Sequence, residues 1–129
     1  MKKHILIVED NIIAAKAEKF TLLRLDDCEV NCVLTGEEGV ALTSKNKYDL
    51  ILMDLGLPGI DGVEATEKIR TANSSVNNRL TPIITVTANE NIEVHTKCLQ
   101  AGANEVVCKP FTLEKAKKIL SRFFFPSKS

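Results

Sequence analysis

This chain predicts an α/β fold, a parallel sheet with helices on both faces, and three observations lead there. Short apolar runs alternate five times with helical patterns, the order that a β-α repeat writes into a sequence. The runs are apolar almost without interruption, Ile5-Leu6-Ile7-Val8 and Leu50-Ile51-Leu52-Met53 among them, as strands covered on both faces must be. Four of them then end in polar residues: Glu9-Asp10, Asp54, Thr87-Ala88-Asn89 and Lys109-Pro110. With 129 residues, the chain fits one domain that buries roughly two-thirds of its unfolded surface. That domain is expected over 1–125, with a C-terminal tail at 126–129.

The first strand is expected near 4–8, and Asn11 caps a helix over 12–25 by accepting from orphan backbone N–H groups. That helix carries two apolar stripes, Ala14, Ala17, Thr21 and Leu25 on one side and Ile12, Phe20 and Leu23 on another. One stripe must pack on the sheet, leaving part of the other exposed. A second strand near 29–34 precedes a helix over 37–45. The third strand, near 49–53, delivers Asp54 into the glycine-rich loop Leu55-Gly56-Leu57-Pro58-Gly59-Ile60-Asp61-Gly62, and Asp61 caps a helix over 62–72. Residues 71–79 show neither period and read as a mobile surface loop. The fourth strand, near 82–86, leads to a helix over 90–101 that Gly102 terminates. The fifth strand, near 104–108, leads to a helix over 112–124 capped by Thr112. Leu113, Ala116, Leu120 and Phe123 turn that last helix toward the sheet, and Lys115, Lys117, Lys118 and Arg122 form its solvated face. Ser127-Lys128-Ser129 is expected to be a frayed end.

Lys+Arg and Asp+Glu both total 17, so no long-range field draws this chain to nucleic acid or to an anionic membrane. Cys28, Cys32, Cys98 and Cys108 form no CxxC pair, and His4 and His95 have no cysteine beside them in sequence. Zinc and a disulfide framework are both poor fits, and the cysteines read as small buried hydrophobes in a reducing compartment. Glu9-Asp10 cuts the first apolar run too short for a signal peptide, and no stretch reaches the ~18 apolar residues of a membrane span. A cytoplasmic location is expected. Neither histidine has an evident partner, and neither is assigned a role.

In an open parallel sheet, the loops at the carboxyl ends of the strands share one edge. The four polar strand ends would therefore gather three acids, a hydroxyl and an ammonium in one crevice. Two unit charges ~4 Å apart repel by about 4 kcal/mol at an effective dielectric of 20, so Glu9, Asp10 and Asp54 require a cation. They offer hard oxygens, and a loop carbonyl such as that of Gly56 adds another, a set that suits Mg²⁺. The Thr87 hydroxyl, the Ala88 N–H and the Lys109 ammonium can serve as donors to a phosphoryl group. Asp54 is then the natural attacker on a phosphorus–nitrogen bond, and the product would be a phosphoaspartate.

These residues resemble a response-regulator receiver domain of the CheY-like superfamily. The likeness rests on Ile5-Leu6-Ile7-Val8-Glu9-Asp10-Asn11, on Met53-Asp54-Leu55-Gly56-Leu57-Pro58-Gly59-Ile60-Asp61-Gly62, on Ile84-Thr85-Val86-Thr87-Ala88 and on Lys109-Pro110-Phe111, in that order over nearly the whole chain. It implies a (βα)5 flavodoxin-like three-layer sandwich with a five-stranded parallel sheet in the order 2-1-3-4-5. It also implies a Mg²⁺ site at Glu9, Asp10, Asp54 and the Gly56 carbonyl, and phosphorylation of Asp54 from the phosphohistidine of a histidine kinase or a histidine phosphotransfer protein. The Thr87 hydroxyl would turn toward the phosphoryl group, and a cis Lys109–Pro110 peptide would aim the lysine inward. Downstream, a protein target of unknown identity would read the change. Two positions depart from the family. Val106 stands where an aromatic ring is usual, which moves any two-state response to the backbone after Thr87 and to the fourth helix. Gly56 stands where many relatives place a side chain beside the attacking water, leaving Asn89 to orient or exclude it.

The rival from the enzyme class is a haloacid-dehalogenase type phosphohydrolase, which also uses an aspartyl nucleophile. It carries a second aspartate where this chain has Gly56. A flavin mononucleotide binder would present donors rather than Glu9-Asp10 in its first turn. A receiver that only binds proteins would not need every charged site residue. The expected role is thus a signalling domain that catalyses its own phosphorylation and dephosphorylation, free-standing or part of a hybrid sensor histidine kinase. The partner is expected to dock on Ile12, Ile13 and Ala14 together with Pro110-Phe111.

Overall fold

A computed structural model describes residues 2–125; the tail expected at 126–129, with its frayed Ser127-Lys128-Ser129, lies outside the described residues. The elements alternate as β1 (Lys3–Val8), α1 (Ile12–Leu25), β2 (Cys28–Val33), α2 (Gly36–Thr43), β3 (Leu50–Asp54), α3 (Gly62–Thr71), β4 (Ile83–Thr87), α4 (Ile92–Ala101), β5 (Glu105–Cys108) and α5 (Leu113–Phe123). The five strands pair in parallel in the order β2-β1-β3-β4-β5. Expected and observed ends differ by a residue or two, within the usual fraying. Two of these shifts matter, because Asp54 and Thr87 are the last residues of β3 and β4 and are held by the sheet.

Successive side chains of a strand point to opposite faces, and the core divides accordingly. Ile5, Ile7, Leu50, Leu52, Ile84 and Val86 pack with Ala15 and Leu22 of α1 and Ala116, Ile119 and Leu120 of α5. Leu6, Val8, Ile51, Met53 and Ile83 face the other way, onto Tyr48 and onto Ala65 and Ile69 of α3. The middle layer is thus sealed twice, and only the strand ends open to chemistry.

The caps on Asn11, Asp61 and Thr112 form as expected, each side chain accepting the N–H three residues on. Gly102 ends α4 at φ +119°, in the left-handed region that glycine enters without penalty. Three expectations need correction. First, α1 buries Ala15, Glu18 and Leu22, one residue off the expected stripe, because the register that fits the sheet carries a glutamate that apolar counting skips. Ile12, Phe20 and Leu23 do remain exposed. Second, the 71–79 loop is anchored. Buried Asn78 accepts from the Tyr48 N–H and donates to the carbonyls of Thr43 and Asn46, each within 2.8 Å, so one amide clamps three backbone groups. Third, the basic face of α5 is only partly solvated: Lys115 Nζ donates to the Cys108 and Pro110 carbonyls at 2.6 and 3.2 Å, and Arg122 pairs with Glu105. The four cysteines are free thiols, Cys28 and Cys98 buried but Cys32 exposed. Among the described residues, no helix is long and apolar enough to cross a membrane.

Candidate functional site

Parallel pairing sets the heights of the site residues. Val8 pairs with Met53, Asp54 with Val86 and Thr87 with Cys108, so the residues that follow β1 and β5 rise beside the ends of β3 and β4. Backbone hydrogen bonds extend the ladder past the strands: Glu9 N–H donates to Val33, Leu55 N–H to Val86 and Lys109 N–H to Thr87, at 2.7 to 3.2 Å. Gly62 lets α3 begin against this edge, since a Cβ there would meet the Asp54 carbonyl oxygen at 2.3 Å. The Lys109–Pro110 peptide is cis, as the resemblance implied.

Glu9, Asp10 and Asp54 each bring a carboxylate oxygen within 4.8 Å of the others. Glu9 and Asp54 are buried and Asp10 is exposed. Lys109 Nζ donates to Glu9 Oε1 at 2.7 Å and lies 3.4 Å from Asp54 Oδ1. Burial, then the charge of Glu9, pushes the Asp54 carboxyl up to about 6. Burial also works to raise Glu9, but the Lys109 ammonium, the Asn11 N–H and the bond to Asp54 outweigh it and hold Glu9 below its ordinary value. Burial works to lower Lys109, and the bond to Glu9 and the charge of Asp54 overcome it and raise the ammonium. One cation facing three acids leaves a net negative site whose nucleophile candidate holds its proton more tightly than an ordinary carboxyl. A divalent ion would oppose that upward shift. Hard oxygens suit Mg²⁺, whose opposite ligands stand about 4 Å apart at ~2.1 Å bonds, so the acids fit such an ion with little movement.

The remaining predicted residues stand around this centre. Thr87 is buried, and its Oγ1 accepts from the Asn89 N–H at 3.0 Å. Ala88 is exposed. Gly56 is exposed two residues past Asp54, with open space where a side chain would stand. Val106 is half-buried on β5, opposite Thr85. The Asn89 amide oxygen is already engaged, accepting from the Asn91 N–H at 2.8 Å as the chain enters α4.

Sequence reasoning passed over the two histidines and one glutamate. His95 was left without a partner, yet its Nε2 lies 2.6 Å from the Asn89 carbonyl oxygen. A carbonyl only accepts, so Nε2–H donates and ties α4 to the loop that follows Thr87. Its place one turn into a helix behind that loop was the available signal. His4 likewise has Glu29 beside it, at 3.6 Å. The glutamate is Glu18, buried on α1 beside Lys109 and Phe111.

The sequence matches the family described as Response regulator receiver domain over residues 5–121. Transcription factor SKN7 of Saccharomyces cerevisiae is 36% identical over 121 residues, covering 93% of this chain and 18% of that protein. Probable histidine kinase 3 of Oryza sativa subsp. japonica is 31% identical over 140 residues, covering 95% of this chain and 14% of that protein. The chain therefore spans less than a fifth of the length of these two curated relatives. Among solved structures, the receiver domain of sensor histidine kinase PA1611 from Pseudomonas aeruginosa superposes with a TM-score of 0.86 at 36% identity, covering 98% of this chain and all of that one. That neighbour has a magnesium ion coordinated in its active site cleft. Chemotaxis response regulator CheY4 of Vibrio cholerae gives 0.85 at 27% identity, covering 95% of this chain and 99% of that one. By its site, its strand order and these likenesses together, the chain belongs to the response regulator receiver domains of two-component signalling.

Proposed function

We propose that this domain accepts a phosphoryl group on Asp54 from a protein phosphohistidine, in a Mg²⁺-dependent reaction, and thereby switches its binding to a downstream protein. The observation that carries this is the meeting of three carboxylates within 4.8 Å next to the Lys109 ammonium. An uncompensated cluster of that kind is costly in an apolar fold. Glu9, Asp10, Asp54 and the Gly56 carbonyl would hold Mg²⁺, which when bound neutralises charge on the phosphoryl oxygens. Asp54 lies at the end of a fixed strand, so its carboxylate meets the phosphorus in line without a search for orientation. As its oxygen forms the new P–O bond, the P–N bond breaks and the donor imidazole leaves with the electron pair. Lys109, the Thr87 hydroxyl and the Ala88 N–H stabilise the oxygens of the group in flight. The domain catalyses its own modification.

The donor is a histidine kinase or a histidine phosphotransfer protein, docking over Ile12, Ile13, Ala14 and Pro110-Phe111. Relatives at equal identity include a transcription factor and the receiver of a sensor histidine kinase, which supports either setting for this domain. Intact mass after incubation with acetyl phosphate and Mg²⁺ tests the assignment. One phosphoryl group is expected on the native chain and none on Asp54→Asn. An adduct that survives the substitution removes Asp54 from the role.

A further inference from the structure

Behind Lys109 lies a groove of about 450 Å³ lined by Ala14, Ala17, Glu18, Lys109, Pro110 and Phe111. Its walls are methyls, a proline and a phenyl ring, but its lining also holds one carboxylate. Glu18 is only 6% exposed, and no hydrogen bond within the described residues relieves its burial. Among the described residues no fully buried side-chain polar atom lacks a partner, so the Glu18 carboxylate keeps its remaining exposure at the groove, where it is open to an incoming donor and costly to cover without one. The nearest cation is already taken: Lys109 Nζ is held by Glu9 at 2.7 Å and Asp54 at 3.4 Å. If a divalent ion balances Glu9, Asp10 and Asp54 against Lys109, Glu18 is the carboxylate left over. On the same helix Ile13, next to Ala14, is 81% exposed. An apolar lining around one unanswered charge is how a binding surface selects a charged anchor.

We propose that this groove seats a long basic side chain, lysine or arginine, presented by the phosphohistidine-bearing partner, with its alkyl stem along Ala14, Ala17 and Phe111 and its charged head on the Glu18 carboxylate. The shape suits such a residue, whose methylenes bury against apolar walls while the head seeks charge. It also gives the surface a means of discrimination. A partner with an apolar residue at that position would leave Glu18 buried and unanswered, and binding would weaken. The proposal presupposes that a protein donor docks over Asp54, but the groove can be tested without any phosphorylation.

The ¹⁵N-labelled chain is titrated at pH 8 and constant ionic strength with n-butylguanidinium chloride, and separately with n-butylurea, which has nearly the same shape and no charge. Saturable amide shifts at Ala14, Ala17 and Phe111 are expected with the cation, and binding roughly tenfold weaker with the urea, the effect of one charged hydrogen bond. Glu18→Gln and Glu18→Ala should each lose the preference, and either one that keeps a dispersed spectrum suffices. Equal affinity for the two probes, an undiminished preference in the variants, or no saturable shift would each overturn the proposal. Loss of the groove's preference with normal acetyl phosphate labelling of Asp54 indicts the groove alone, whereas failed labelling with intact probe binding indicts the phosphoacceptor role.

Discussion

Glu18 carries a carboxyl group into an apolar groove with no donor to meet it, and burial, then the repulsion of Glu9, pushes its pKa up to about 7. In the unfolded chain the same group titrates near 4.5. Between those values the native state holds a proton that the unfolded state has released, so stability falls as pH rises through the window, by about 3 kcal/mol at most. Glu18→Gln should therefore stabilise the domain by about 2 kcal/mol at pH 8, with the gain gone at pH 5. Urea unfolding at the two pH values checks this, and an equal gain at both would contradict the assigned cause. The two kinds of acid differ in legibility. Glu9, Asp10 and Asp54 were readable because each follows an apolar run, and parallel topology then brings such ends together. Glu18 sits mid-helix between the exposed Lys16 and Lys19, and only the rotation of α1 about its axis decides that it faces inward.

Among the elements, β-α alternation and helix caps were open to sequence reasoning because they depend on neighbours a few residues away. The rotation of α1 and the anchoring of the α3–β4 loop depend on distant groups. In the loop, Asn78 bonds across about thirty residues to Tyr48, Thr43 and Asn46, and no local period announces it. Asn78→Ala would strand one buried N–H and two carbonyls, for an expected loss of about 3 kcal/mol. A urea midpoint within error of the native chain would show that the clamp is dispensable. The start of α4 is a softer joint. His95 holds the Asn89 carbonyl and Asn89 holds the Thr87 hydroxyl, so His95→Ala should speed amide exchange at Ala88–Asn91 while the core of β4 stays protected. Protection that is unchanged across 88–91 would remove His95 from that chain of contacts. These contacts join Thr87 to the first turn of α4, so the proposed switch has a continuous path between them.

For the molecule as a whole, the sheet gathers charge at one edge faster than it can neutralise it, so folding, protonation and metal binding are coupled. Without a divalent ion, burial and then Glu9 raise Asp54 to about 6 from 3.8, so the native state takes up a proton that the unfolded chain has lost. Its contribution to stability therefore falls between those pH values and stays low above them. Glu9 acts in the opposite sense. Its lowered pKa adds stability above its ordinary range, which is lost as pH drops through the lowered value. The raised Lys109 adds stability that disappears only in strong alkali. Near neutrality the raised Asp54 still works against folding, and an ion bound only by the native state offsets its cost by mass action, about 2.7 kcal/mol when the free ion is a hundredfold above its dissociation constant. In a Glu18→Gln background, which removes the other titrating carboxyl, thermal unfolding in a chelator should show a midpoint that falls from pH 4 to pH 7. Saturating Mg²⁺ should restore it at pH 7 but scarcely at pH 4, where protons compete for the same oxygens. Asp54→Asn should flatten the fall and shrink the Mg²⁺ response. If instead Mg²⁺ raised the midpoint equally at both pH values and in both variants, the ion would be binding elsewhere, and the acids at the strand ends would need another counterion.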